Sequence, residues 1–119
     1  MLEKRAPRLF DAKVIRVVDG DTVDVEIDLG FEITRKERLR LWGINTPEVR
    51  GDEKEAGLEA ALVVRSWIAK KWVVIDTSRG YGKYGRCLAT IWVEGESSGE
   101  MVNVNQWLVD NDYAVEYLR

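Results

Sequence analysis

Residues 12–29 read AKVIRVVDGDTVDVEIDL. Val14, Ile15, Val17 and Val18 stand before Asp19-Gly20-Asp21, and Val23, Val25 and Ile27 stand after it. β-Branched residues favour the pleated strand and an Asp-Gly pair favours a tight reversal, so the stretch is a predicted β-hairpin. A second turn near Asp28-Leu29-Gly30 leads through Ile33 into Arg38-Leu39-Arg40-Leu41-Trp42. Alternation there puts Arg38 and Arg40 on one face and Leu39 and Leu41 on the other, which predicts a third strand, cationic on one side.

Asn45-Thr46-Pro47-Glu48 breaks that strand, and a polar loop runs on to Glu53. Leu58, Ala61, Leu62, Val64, Arg65, Ile68 and Trp72 then recur at helical spacing, predicting a helix over roughly Lys54 to Lys71. Trp72–Thr77 and Cys87–Val93 are two further predicted strands, joined by the Gly-rich basic segment from Ser78 to Arg86. The hydrophilic turn from Glu94 to Glu100 leads into a second predicted helix, Val104 to Asn111, with Asn103 as its N-cap. Five short strands with a helix between the third and fourth match an OB-type barrel, α+β but mainly β, with a C-terminal helix. One domain is expected over residues 1–119, with residues 1–11 as an N-terminal arm.

Composition restricts the chemistry. With no histidine and one cysteine among 119 residues, Ser-His and Cys-His mechanisms, His or Cys zinc sites and internal disulfides are excluded. Hydrolysis would have to run on carboxylates, arginines, lysines, hydroxyls or an oxygen-ligated metal. Cys87 borders an apolar run and is expected to be a buried core thiol. The net charge of −3 argues against a surface that coats any polyanion. Basic residues are instead local, at Lys4, Arg5, Arg8, Lys13 and Arg16 and from Arg35 to Arg40, whereas the stretch from Glu94 to Glu116 is mostly acidic. No apolar run suits a signal peptide or membrane span, so a cytoplasmic location and no membrane partner are expected.

Three segments couple a turn to charges: Asp19-Gly20-Asp21-Thr22, the run from Arg40 to Glu48, and Lys83-Tyr84-Gly85-Arg86. Singly, each reads as a solvated turn, a loop leaving a strand, or a surface cation. Together and in this order they form VDGDTV at 18–23, RLWGINTPE at 40–48, GLEA at 57–60 and KYGR at 83–86.

This combination resembles the staphylococcal nuclease (thermonuclease) family over about Ala12 to the C-terminus. The resemblance implies one calcium ion bound by Asp21 and the Thr46 carbonyl, a general base at Glu48, and phosphate-binding arginines at Arg40 and Arg86. Lys83 and Tyr84 match positions that contact a terminal phosphate and stack near the nucleotide; Tyr84 reads equally as hairpin packing. Gly80, Gly82 and Gly85 are assigned to loop geometry, and Asp19 to the turn or to waters around the metal. The implied reaction breaks the P–O5′ bond of single-stranded or locally unpaired DNA or RNA and leaves 3′-phosphate ends, with the protein acting as a monomer.

The roles make physical sense. A phosphodiester repels hydroxide, so hydrolysis gains from a cation on a non-bridging oxygen and from preorganised donors, and calcium takes the oxygen ligands this chain offers. Asn45 stands where the best-known members carry a second calcium-binding aspartate. It keeps a carbonyl oxygen but removes a charge, so the expected metal site is weaker, with Asp52 or Glu53 as possible helpers. The staphylococcal type also continues into a further C-terminal helix, whereas this chain ends at Arg119, leaving Tyr113 and Tyr117 as the expected pocket aromatics. The alternative expectation is a nuclease-like domain that binds nucleic acid or protein without cleaving it.

Overall fold

The structure, a computed structural model, describes residues 8–118. Strand β1 (Leu9–Asp19) reverses at Gly20-Asp21 into β2 (Thr22–Asp28), with Val14 opposite Val25 and Val17 opposite Val23. β3 (Thr34–Leu41) lies against β2 with Leu39 opposite Val23 and Arg40 opposite Thr22. The two-residue β4 (Ile44–Asn45), a short 3-10 turn at Gly51–Glu53 and helix α1 (Lys54–Ile68) follow. β5 (Trp72–Asp76), β6 (Cys87–Glu94), β7 (Met101–Asn103), α2 (Val104–Asp110) and β8 (Val115–Glu116) complete the chain.

The sheet order β3-β2-β1-β5-β6 closes on itself through a parallel pairing of β3 with β6, Leu39 opposite Cys87 and Leu41 opposite Ala89. This is the expected five-stranded barrel with two helices. Closure removes free edges and needs strong coiling; two register shifts in β1, between Val14 and Arg16 and between Val17 and Asp19, supply it. Alternation fills the interior: on β6, Cys87, Ala89, Ile91 and Val93 point inward, facing Val14, Val25, Leu39 and Ile75. Cys87 is the buried thiol anticipated, and burial pushes its pKa up.

Several expected boundaries move. β1 starts at Leu9, inside the segment expected as an arm, because Leu9, Phe10 and Asp11 pair with Asp76, Ile75 and Val74; residues 1–7, with Lys4 and Arg5, lie outside the described residues. α1 ends at Ile68, not Lys71: Ala69 leaves the helical region at ψ 134, Lys70 takes φ 67, and the Lys70 N–H donates to Val14. Trp72, which also falls at helical spacing, opens β5 as expected and is exposed. Likewise β3 stops at Leu41 and α2 at Asp110, with Asn111 as its C-cap. Asn103 does cap α2, its side chain accepting from the Gln106 N–H at 3.1 Å.

Two features place the next layer. α1 buries Gly57, Ala60, Ala61, Val64 and Ile68, a stripe at helical spacing whose N-terminal part is small enough for close approach. Buried Asn105 on α2 donates to the carbonyls of Trp42 at 2.9 Å and Ala89 at 3.0 Å and accepts from the Ile91 N–H at 3.1 Å. One satisfied amide therefore ties α2 to the seam where β3 meets β6. Among the described residues no helix is long and apolar enough to cross a membrane.

Candidate active site

At the Asp19–Thr22 end of the barrel lies a cleft of about 550 Å³. Its floor comes from the β1–β2 turn and β3, one wall from Asn45 to Glu48 with Glu53, and the other from Arg86 and the segment after α2. The turn reaches this position because Gly20 has no side chain. A Cβ there would lie 2.8 Å from Thr46 Cγ2 and 3.0 Å from Ala60 Cβ, so turn, loop and helix pack through that gap.

Asp21 is the anchor. Only 8% exposed, it accepts from the Thr46 backbone N–H at 2.9 Å and from the Thr22 hydroxyl at 3.1 Å, and its Oδ2 lies 3.5 Å from the Arg40 guanidinium. Arg40 is itself held firmly. Its Nη1 donates to the carbonyls of Leu41 at 2.9 Å and Ile44 at 2.8 Å, and its Nη2 donates to Asn45 Oδ1. A guanidinium fixed by three acceptors is preorganised, which is what recognition of a planar or tetrahedral anion requires.

The remaining groups are more exposed than these. Glu48 is exposed at the cleft wall, and its backbone N–H makes a long 3.4 Å bond to Glu53 Oε1. Arg86 is also exposed and enters from the loop before β6, its guanidinium 5.7 Å from the Tyr84 ring. Asp21, Arg40, Asn45, Thr46, Glu48 and Arg86, far apart in sequence, thus share one cleft, with Asp19 and Glu53 beside them. Asp52 does not line it.

Lys83 and Tyr84 line a neighbouring hollow of about 260 Å³ with Trp42 and Leu88, which shares Arg40, Arg86 and Tyr117 with the cleft. Tyr84 is 81% exposed, so hairpin packing does not account for it. Gly80 and Gly85 both sit at φ 73, which fits their assignment to loop geometry. Tyr113 and Tyr117 both reach the cleft. Tyr113 also stacks on Trp107 at 5.9 Å, and Trp107 lies 4.8 Å from Trp67, so an aromatic ladder fixes the cleft wall to both helices.

Other contributors had no signal in the linear chain. Arg79 packs over the Trp42 ring at 3.7 Å, a cation–π contact between residues 37 apart in sequence rather than a local motif. Asn105 and the β4–β8 pair, Asn45 opposite Val115, likewise depend on tertiary closure.

The donor set suits a hard divalent cation in kind. Asp21 offers a carboxylate, Thr46 a backbone carbonyl and a buried hydroxyl with no hydrogen-bond partner among the described residues, and Asn45 an amide oxygen. An orphaned buried hydroxyl is costly unless a ligand satisfies it. The set is poor in charge, and among the described residues no three or more His, Cys, Asp or Glu side chains converge to hold a metal.

Comparison with known proteins agrees with this geometry. The sequence signature described as "Staphylococcal nuclease homologue" matches residues 38–119. The chain is 32% identical over 108 residues to "Protein ParB" of Escherichia coli, covering 88% of this chain and 56% of that protein. It is 32% identical over 92 residues to "Thermonuclease" of Staphylococcus hyicus, covering 74% and 52% respectively. An "Uncharacterized endonuclease" of Escherichia coli O157:H7 is 31% identical over 97 residues, covering 82% and 54%. The chain therefore spans a little over half the length of these curated relatives.

Proposed function

The chain belongs to the staphylococcal nuclease family, and from that premise we propose that it is a calcium-dependent nuclease hydrolysing phosphodiester bonds of single-stranded or locally unpaired DNA or RNA. The observation that carries this reading is the convergence of two arginines from separate elements, Arg40 and Arg86, with Glu48 and Asp21 in one cleft.

Arg40, preset by its carbonyl partners, binds a non-bridging phosphate oxygen, and Arg86 closes on the same phosphate from the opposite wall. Glu48 accepts a proton from the water that attacks phosphorus in line with the leaving O5′, and the P–O5′ bond breaks, the departing oxygen taking a proton from solvent water, to give a 3′-phosphate and a 5′-hydroxyl. Asp21, Thr46 and Asn45 would hold the calcium ion, which when bound supplies positive charge to the phosphate oxygens as they gain negative charge. Lys83 and Tyr84 serve the adjoining nucleotide, the tyrosine as an exposed stacking ring.

A second reading, a domain that binds without cleaving, is favoured by one observation: the Asn45 oxygen is engaged by Arg40, which leaves Asp21, bonded to the Thr46 N–H, as the one side-chain carboxylate among the three proposed ligands. The two readings separate on incubation with single-stranded DNA and RNA, with calcium or chelator, comparing Glu48→Gln and Arg86→Ala. Calcium-dependent cleavage lost in both variants is expected of the nuclease. Binding without cleavage in any condition would establish the second reading.

A further inference from the structure

At the end of the barrel opposite the cleft, a knob and a hole stand side by side. The knob is the β2–β3 loop, where Gly30, Phe31 and Glu32 take φ 82, 55 and 61 in succession. Three bonds pin it: the Gly30 N–H donates to Asp28 Oδ1 at 2.8 Å, the Leu29 N–H to the Ile33 carbonyl at 2.9 Å, and the Ile33 N–H to the Gly30 carbonyl at 2.9 Å. A bulky side chain is costly in this left-handed region, which glycine and asparagine occupy more easily. Phe31 nevertheless holds the tip and is 96% exposed, so packing among the described residues offsets neither the strain nor the wetted ring.

The hole is a hollow of about 500 Å³ beside the loop, in which Phe10, Leu29 and Tyr81 surround buried Ile27 and Cys87. An apolar cavity of about 150 Å³ is enough for a benzene-sized ring, so a phenyl group has room here. The charges also match. The loop from Asp28 to Ile33 carries the carboxylates Asp28 and Glu32 and no cation. The hollow is lined by Arg8, Arg35 and Glu37, and Glu37 is already engaged by Arg35 at 3.0 Å and the Tyr81 hydroxyl at 3.3 Å. Arg8 makes no ion pair among the described residues.

We propose that this end of the barrel is a self-association surface, on which Phe31 of each copy enters the hollow of a second copy and Glu32 meets Arg35 there. Knob and hole belong to one face, and a two-fold axis lying in the interface sets each opposite its counterpart, so the contact is made twice. The cleft is built on the other ends of the same strands, at Asp19, Thr22 and Arg40, and stays open in both copies. The dimer replaces the monomer implied by the family resemblance and does not depend on the nuclease reading of the cleft.

The test is sedimentation equilibrium of the full chain across the micromolar range. The weight-average mass of the wild-type protein is expected to rise with concentration from 13.6 kDa toward twice that value. Phe31→Asn suits the left-handed backbone, so it should keep its resistance to urea while association weakens about tenfold or more. Glu32→Lys and Arg35→Glu should each sediment as single chains, and an equimolar mixture of the two should regain the dimer mass, because both contacts of the mixed dimer then pair opposite charges. A mass of one chain at every wild-type concentration would overturn the pairing and leave the face to a partner of another kind. A dimer unaffected by Phe31→Asn, or no recovery on mixing the charge variants, would overturn it as well.

Discussion

Gly57, in the first turns of α1, lies against the backbone carbonyl of Glu48, so close that the helix has no room for a side chain at that position. A Cβ on residue 57 would collide with Glu48 O and stand 2.8 Å from Pro47 O. The loop carrying Glu48, the proposed general base, is therefore set by direct backbone packing on the helix. Its other end is set by the Thr46 N–H bond to Asp21, across 25 residues. Glu48 and Asp21 are thus held in register by two contacts, neither of which uses the Glu48 side chain.

Gly57→Ala tests this relationship. In an unobstructed helix the change stabilises by about 0.5–1 kcal/mol. Here the obstacle is backbone, which cannot rotate aside, so a net loss of about 1–3 kcal/mol is expected in urea unfolding. Cleavage should fall further than the loss of folded protein explains, because Glu48 shifts with its carbonyl. A stability gain with full activity would show that the contact does not set the loop.

How much of this was legible in the chain depends on the range of the interaction. The hairpin at residues 12–29, the alternation of β3 and the periodicity of α1 follow from local pattern, and the structure has all three. The charged site residues read singly as solvated turn charges, and only their joint order, through its resemblance to the nuclease family, assigned them roles. The start of β5 at Trp72 was legible from its β-branched run, whereas the end of α1 was overrun to Lys71 because no local pattern marks the break at Ala69 and Lys70. β4, β7 and β8, at two or three residues each, have no periodicity to detect and exist only because closure brings partners beside them. Asn105 was invisible for the same reason: an amide in a short helix is ordinary until its three partners are placed around it.

Asn45→Asp is expected to strengthen calcium binding. The substitution adds a negative charge beside Asp21 and Thr46 and keeps an oxygen that can still accept from Arg40. Added ligand charge of this kind should tighten binding about tenfold, or ~1.4 kcal/mol, in titration calorimetry without substrate. Unchanged affinity would mean that residue 45 serves Arg40 and not the metal.

Asp24 should leave a signature in acid. Its hydrogen bond to Arg38, outweighing the opposing effect of burial, holds its carboxyl below the ordinary range, and Arg16 adds to the lowering. A folded-state pKa below the unfolded value means stability that is present above about pH 4 and lost as pH falls through the folded value. The Arg38 partner is half exposed, so the contribution is small, within about 1 kcal/mol. Asp24→Asn should therefore flatten part of the decline in chemical stability below about pH 4 and cost little at neutrality. An acid limb of the same slope in both proteins would remove Asp24 as its source.

The two arginines should behave differently when replaced, although they share one proposed substrate atom group. Arg40 is nearly buried, donates to two carbonyls and to Asn45, and faces Asp21 at 3.5 Å. Removing it leaves a buried carboxylate without its countercharge and takes a donor from the Leu41 and Ile44 carbonyls, so Arg40→Met should cost about 3–5 kcal/mol of stability as well as activity. Arg86 is exposed and makes no ion pair among the described residues. Arg86→Ala should leave stability within about 0.5 kcal/mol of wild type while lowering kcat/KM by about a hundredfold or more. Arg86→Lys should recover little of that loss, because a point charge cannot reproduce the two-pronged grip of a guanidinium on a phosphate. Equal destabilisation by the two removals, or full rescue by lysine, would contradict the division of labour in which Arg40 is built into the fold and Arg86 closes on the substrate.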